Sequence, residues 1–235
     1  MELSHAGSEG TYSFDGRKLH HSRFNVNWLT ELGITPRAIL DIGAFDCGDA
    51  IRFKTSFPDS KVIAFEADPD RAANIQSYIE NYGVEFFPVA ISDKCGTIDF
   101  YPSIHTGEGR TDGQGSLLKH SDVYKQTFGS FIKQQPPVQV QTRTVEDVND
   151  NTLESIDLVH IDVEGYEYGV IKGFGKCRPK LVFFETILDG VGWEGTHPAI
   201  EIHELLNSMG YILLLDLGTD RLYQYILGPD GFASV

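Results

Sequence analysis

Residues 38–68, AILDIGAFDCGDAIRFKTSFPDSKVIAFEAD, restrict the fold more than any other stretch of the chain. A short apolar run, residues 38–42, ends in the turn Gly43-Ala44-Phe45-Asp46-Cys47-Gly48. A helical segment follows, then a second apolar run, residues 62–65, tipped by Glu66. Strand, glycine-bearing turn, helix and strand in this order read as a βαβ unit. In an open parallel sheet, ligands bind beyond the carboxyl ends of the strands. Glu66 stands there, able to accept hydrogen bonds from both hydroxyls of a ribose.

Two nucleoside cofactors suit such a unit, and the turn helps to separate them. A dinucleotide fingerprint, GxGxxG, needs its middle glycine so that the backbone can approach a pyrophosphate. Counting from Gly43, that position is Phe45. Asp41 and Asp46 would repel phosphate as well, whereas a cationic sulfonium with an amino-acid tail suits an acidic pocket. The turn therefore favours S-adenosylmethionine over NAD. It leaves open a βαβ unit whose glycines only make turns.

The 235 residues suit one domain with a sizeable core, and 11% aromatic with 23% charged residues describe a globular chain. The formal net charge of −15 argues against a nucleic-acid substrate or an anionic membrane. Cys47, Cys95 and Cys177 are odd in number and widely spaced, so neither a disulfide framework nor a CxxC metal site is expected. The opening MELSHAGSEG lacks the pattern of a signal peptide. No apolar run approaches the roughly 18 to 20 residues that span a bilayer. The expectation is a cytoplasmic protein with no membrane insertion.

The rest of the chain repeats the βαβ logic. Residues 1–22 show no clear period and read as a surface arm, and adjacent His20 and His21 read as part of it rather than as metal ligands. Helical spacing covers residues 24–32, 49–57, 122–134, 166–174 and 198–209. A further helix is expected over 69–82, with Asp68 as N-cap and Pro69 at its first position. Strands are expected over 85–90, 97–101, 138–142, 156–163 and 181–184, with a closing hairpin at 211–217 and 222–227. Residues 102–115 form a long Gly-rich loop, read as a lid that closes at Ser116 and Leu117. The predicted fold is α/β, a Rossmann-like doubly wound sheet, mostly parallel with an antiparallel last strand. Residues 1–37 would be an arm and helix packed on a single catalytic domain, 38–235.

Five ordered motifs carry a resemblance: Asp41-Ile42-Gly43-Ala44, Phe65-Glu66-Ala67-Asp68-Pro69, Val89-Ala90-Ile91-Ser92-Asp93, His160-Ile161-Asp162-Val163-Glu164-Gly165 with Glu167, and Phe183-Phe184-Glu185. In these the chain resembles class I S-adenosylmethionine-dependent methyltransferases, and within them the FkbM family. Two positions depart from the family pattern. Cys47 stands where the first turn usually has glycine, and His160 where the family often has lysine. The resemblance implies cofactor contacts from Asp41, Gly43, Ala44, Phe45, Glu66, Ala67, Asp93 and Asp162. For Asp93 a place beside the adenine and an Asx turn are equally open. The resemblance also implies O-methylation of a hydroxyl on a small acceptor, a sugar or glycoconjugate above all.

Such a transfer calls for a general base near the acceptor oxygen. The candidates are Asp162, Glu164 and Glu185 at strand ends, and His197 in the second Gly-rich loop. Glu164 could instead cap the following helix. No metal is predicted, although a divalent cation, if present, would sit on Asp162, Glu185 and Asp189. Trp193, Tyr166 and Tyr168 could offer a sugar an aromatic face, or belong to the core. The competing functions are an NAD(P)-dependent oxidoreductase or epimerase, and a non-catalytic cofactor-binding protein of the same fold.

Overall fold

A computed structural model describes residues 3–107, 110–111, 113–149, 155–186 and 192–226. Its centre is a seven-stranded sheet. The strands, in chain order, are β3 (Ala38–Ile42), β4 (Lys61–Phe65), β5 (Glu85–Phe87), β12 (Leu158–Ile161), β13 (Leu181–Glu185), β14 (Tyr211–Asp216) and β15 (Asp220–Tyr225). Across the sheet they run β14-β15-β13-β12-β3-β4-β5. Strands β5, β4, β3, β12 and β13 are mutually parallel, and β15 inserts antiparallel between β13 and β14. This is the doubly wound, mostly parallel sheet with a reversed last strand that the sequence leads one to expect.

All of β3 and β12 is buried, as strands covered on both faces must be. Alternation divides their side chains between two apolar layers. Ile39 packs with Phe24, Trp28 and Phe53 on one face. Leu40 and Ile42 pack with Val170, Phe174 and Leu206 on the other. The first layer carries α1 (Asn27–Glu31) and α2 (Gly48–Ser56), and the second α6 (Glu167–Lys172) and α7 (Ala199–Ser208).

Several boundaries differ from the sequence expectation, each for a local reason. Residues 1–22 hold a hairpin, β1 (Gly10–Phe14) and β2 (Arg17–His21), turned at Asp15-Gly16 with φ of 49° and 76°. Asp-Gly between alternating strands is a strong hairpin signal, and here it stood in the sequence. The expected strand 85–90 breaks at Pro88, which has no N–H for the ladder. Its second piece, β6 (Ala90–Ile91), pairs instead with β11 (Val138–Arg143), beside β7 (Gly96–Phe100). Helix 69–82 divides into α3 (Pro69–Gln76) and a 3₁₀ turn (Ile79–Tyr82). The helix expected over 122–134 stops as α4 (Asp122–Phe128) at Gly129. Beyond it, β10 (Ile132–Gln134) pairs with β8 (Ser103–His105), which also pairs with β9 (Arg110–Thr111). The expected lid is thus partly a small sheet. The last residue of the closing hairpin, Leu227, lies outside the described residues.

Candidate active site

The carboxyl ends of β3, β4, β12 and β13 open into one cavity of about 410 Å³. The end of the lid, residues 113–117, residues 89–91, and the N-terminal segment, through Glu9, Thr11 and residues 20–23, also line it.

The turn after β3 sets the geometry. Gly43, at φ 83°, lies so close to the next strand end that a Cβ would fall 1.7 Å from the Asp162 carbonyl oxygen. Phe45 and Cys47 hold φ values of 52° and 57°, a left-handed backbone that costs non-glycine residues free energy. Glycine, the usual residue at the Cys47 position in the resembling family, takes that conformation without strain. The N–H groups of Gly43 and Ala44 both donate to the Phe65 carbonyl, at 3.0 and 2.9 Å, and lock the turn to β4.

Glu66 is held at both oxygens. Oε2 accepts from the Phe45 N–H at 2.8 Å and Oε1 from the Asp68 N–H at 2.7 Å. Burial pushes its pKa up to about 7, against the pull of those two donors. Asp68 caps α3 as expected, accepting from the Asp70 and Arg71 N–H groups. The Phe45 ring lies 3.8 Å from the Arg71 guanidinium and against Gly113, so it joins the turn to the lid.

Asp41, on β3, faces His160, directly opposite on β12. Imidazole Nδ1 lies 2.8 Å from Asp41 Oδ1, and Nε2 lies 2.9 Å from Ser22 Oγ. Asp49 Oδ2 is 3.9 Å away. Burial alone would drive this imidazole toward neutrality, but Asp49, Asp41 and Asp162 lift its pKa to about 9. At neutral pH it is an imidazolium. Both ring nitrogens are satisfied, and the ring is charged within the cavity wall.

Asp162 and Glu185 reach the same cavity from β12 and β13. The Asp162 carboxyl is pushed well above the usual range by burial and by Glu185, with His160 opposing. Glu185 remains open to solvent. Desolvation by its surroundings, then Asp220 and Glu9, lift it to about 7 against Arg23. Glu164, at φ 55°, is not the helix cap. Its Oε1 accepts from Gln114 Nε2 at 3.0 Å and its carbonyl from Ser116 Oγ at 2.8 Å, which pins the lid end to the end of β12. The buried Glu167 instead accepts the Gly165 N–H, at 2.9 Å.

The cavity therefore brings together Asp41, Gly43, Ala44, Phe45, Glu66, Ala67, Asp162, Glu164 and Glu185. His197 and Asp93 are not among the residues that line it. His197, just before α7, stacks on Tyr168 at 3.8 Å and pairs with Glu201 in the first turn of that helix at 2.7 Å. Asp93 pairs with Lys172 at 3.6 Å. Both line a separate hollow, while Val89, Ala90 and Ile91 of the same motif face the main cavity. Trp193 is 6% exposed and packs on His120 and Tyr124, so it belongs to the interior. Asp189 lies outside the described residues. Among the described residues, no group of three or more His, Cys, Asp or Glu is placed to hold a metal ion. The contributions of Glu9, Ser22, Arg23 and Asp49 were missed; the Asp15-Gly16 turn was the one signal pointing to a folded N-terminal cover.

The cavity fits S-adenosylmethionine. Asp41, Asp46, Glu66 and Asp162 give it an acidic lining that suits a cationic sulfonium with an amino-acid tail. Glu66 is fixed at the strand end where a ribose would sit, and Ile91 and Leu117 offer apolar wall to a flat base.

Comparison with known proteins agrees. Residues 41–213 match the family described as the methyltransferase FkbM domain. The chain is 35% identical over 192 residues to 2-O-methyltransferase NoeI of Sinorhizobium fredii, covering 77% of this chain and 76% of that one. It is 26% identical over 219 residues to methyltransferase sdnD of Sordaria araneosa, covering 84% and 79%. A methyltransferase FkbM structure from Methylobacillus flagellatus aligns at a TM-score of 0.47 and 12% identity, over 81% of this chain and 44% of that one. With three quarters of its length matched by the family, and the acid-tipped βαβ cavity in place, the chain belongs to the FkbM family of S-adenosylmethionine-dependent methyltransferases.

Proposed function

We propose that the protein methylates a hydroxyl oxygen of a small acceptor, a sugar or glycoconjugate. The observation that carries this reading is the pair Asp162 and Glu185, two carboxyl groups of raised proton affinity in one cavity with Asp41 and Glu66. The cofactor, when bound, supplies an electrophilic methyl group on a sulfonium. Asp41 and Glu66 would hold its charged tail and ribose, and the walls from β12, β13 and the hairpin would position the acceptor beside it. Glu185, with a pKa of about 7, takes the hydroxyl proton and passes it to solvent at the mouth. Asp162, with its pKa pushed upward by burial and by Glu185, orients the acceptor from the end of β12.

The sugar reading draws on the relative named as a 2-O-methyltransferase and on the carboxylates and Arg23 that could meet ring hydroxyls. In the same reading, residues 38–235 form one catalytic domain on which residues 1–37 pack, and the enzyme works in the cytoplasm. No helix among the described residues is long and apolar enough to cross a membrane.

The test is calorimetric titration with S-adenosylhomocysteine, then a methyl-transfer screen over methyl glycosides with and without EDTA. Micromolar binding and EDTA-resistant transfer to a glycoside hydroxyl are expected. Absence of S-adenosylhomocysteine binding would sink the assignment, and transfer abolished by EDTA would replace Glu185 with a metal-held base.

A further inference from the structure

We propose that His160 is a positioning residue: from behind the cavity wall it orients Asp41 toward the cofactor, and through Ser22 it ties the N-terminal hairpin to that carboxylate. The inference rests on the methyltransferase reading, and it concerns a side chain that neither the reaction nor the fold requires to be polar.

The site around His160 suits an apolar side chain. Its ring stacks on Phe183 with centroids 5.7 Å apart and meets the edge of Phe53 at 5.7 Å. An apolar residue there would complete the buried layer on this face of the sheet. The imidazole instead bonds at both nitrogens, to Asp41 on β3 and to Ser22 just beyond β2. Ser22 Oγ lies 3.3 Å from the Phe24 N–H, from which it accepts, so the protonated Nε2 donates to it as well. Both nitrogens then act as donors, as the raised pKa requires. The charged groups facing the ring are Asp41 from β3, Asp49 from α2 and Asp162 beyond β12, and Arg52 pairs with Asp49 from the far side.

Asp41 is 1% exposed. A carboxylate so buried keeps its charge only beside a fixed cation, and His160 is the cation that contacts it. With Oδ1 held by Nδ1, the rotation of the carboxyl group is set, and Asp41 lines the cavity in that one orientation.

The same ring reaches a segment outside residues 41–213. Ser22 donates its N–H to Asp49 Oδ2 at 2.7 Å, and the hairpin sits so tightly on α2 that a Cβ on Gly48 would fall 1.7 Å from the His20 carbonyl oxygen. The hairpin that covers the cavity and the carboxylate that faces the cofactor are thus braced on one imidazole.

A double-mutant cycle read by calorimetric titration with S-adenosylhomocysteine tests this. Asp41→Asn is expected to weaken binding by about tenfold or more, as loss of a charged hydrogen bond does. His160→Gln is expected to weaken it by about fivefold to tenfold, because acting through another residue leaves a fraction of the contact. Combined with Asp41→Asn, His160→Gln should add less than about a twofold change, since its effect passes through Asp41. A merely structural histidine would give additive losses. Additive losses, or His160→Gln binding like wild type, overturn the proposal. So does Asp41→Asn binding like wild type, which would show Asp41 is not a ligand contact while leaving the methyltransferase reading intact. Failure of the wild type to bind would instead remove that reading and this one together. If His160→Gln does not fold, by circular dichroism and thermal melting, Ser22→Ala takes its place in the cycle. It removes one anchor of the ring and should weaken binding in the wild-type background but not beside Asp41→Asn. Equal weakening in both backgrounds, or none in either, overturns the proposal.

Discussion

The two ends of the cavity are built on opposite plans. At β3 and β4 the acids are tied down: Glu66 by two backbone N–H groups and Asp41 by the His160 imidazolium. At β12 and β13, burial and nearby acids raise Asp162 and Glu185 as burial raises Glu66, but Glu185 stands open to solvent, where a proton can leave. A site that only binds gains from fixed partners, because the cost of ordering is met on folding and not on binding. A site that moves protons needs groups whose two protonation states lie close in free energy. The contrast assigns cofactor recognition to one end and chemistry to the other, and single substitutions can separate the two.

The largest effect should come from Glu185→Gln. Loss of the base that takes the acceptor's proton should lower kcat by about 10²- to 10⁴-fold, with S-adenosylhomocysteine affinity changed far less. A parallel collapse of cofactor binding would mean that the two ends are not separable at Glu185. Glu66→Ala makes the opposite break. It should weaken S-adenosylhomocysteine by about 10- to 100-fold, the worth of one or two charge-assisted hydrogen bonds, as read by calorimetry. Normal affinity in that variant would deny Glu66 the ribose.

Acidity sharpens the comparison. A base lifted to about 7 is active as the carboxylate, so kcat/KM should be full above pH 7 and fall about tenfold per unit below it. Glu185→Gln should lower the rate and remove that limb of the profile. A limb that persists in the variant would move the base elsewhere, with Asp162 the next candidate. The smallest effect is expected from Cys47→Gly. Relief of the left-handed backbone, worth about 1 to 2 kcal/mol, should nearly offset the loss of a small buried side chain, worth about 1 kcal/mol. The melting temperature should then move by only about 4 °C or less in either direction. A large loss would show that the thiol's packing, and not the turn, dominates at this position.

Much of this was legible before any coordinates. The runs 38–42, 62–65 and 181–184 are apolar because strands covered on both faces have no polar side to show. Pro69 after Asp68 announced the start of α3. Misreadings fell where local signals were overridden or outweighed. Pro88 cut one expected strand in two, and Gly129 ended a helix whose apolar spacing ran on to Gln134. His197 looked like a base by residue type, yet Glu201 one turn on and Tyr168 beneath it hold it in the separate hollow.

By itself the sequence determined the order of strands and helices, the acid at the end of β4 and the acids at the ends of β12 and β13. These follow from periodicity and from the chemistry of neighbouring residues, both of which are local. The tertiary structure alone decided that Ser22, Asp41, Asp49 and His160 meet, and that the hairpin covers the cavity. Their partners lie 27 to 138 positions apart in the chain. Only the pairing of β12 with β3 and the close approach that Gly48 allows bring them within hydrogen-bond distance. Burial, which lifts some acids, and the cluster of aspartates that charges a buried histidine depend on the packed whole and have no counterpart in any short stretch of sequence.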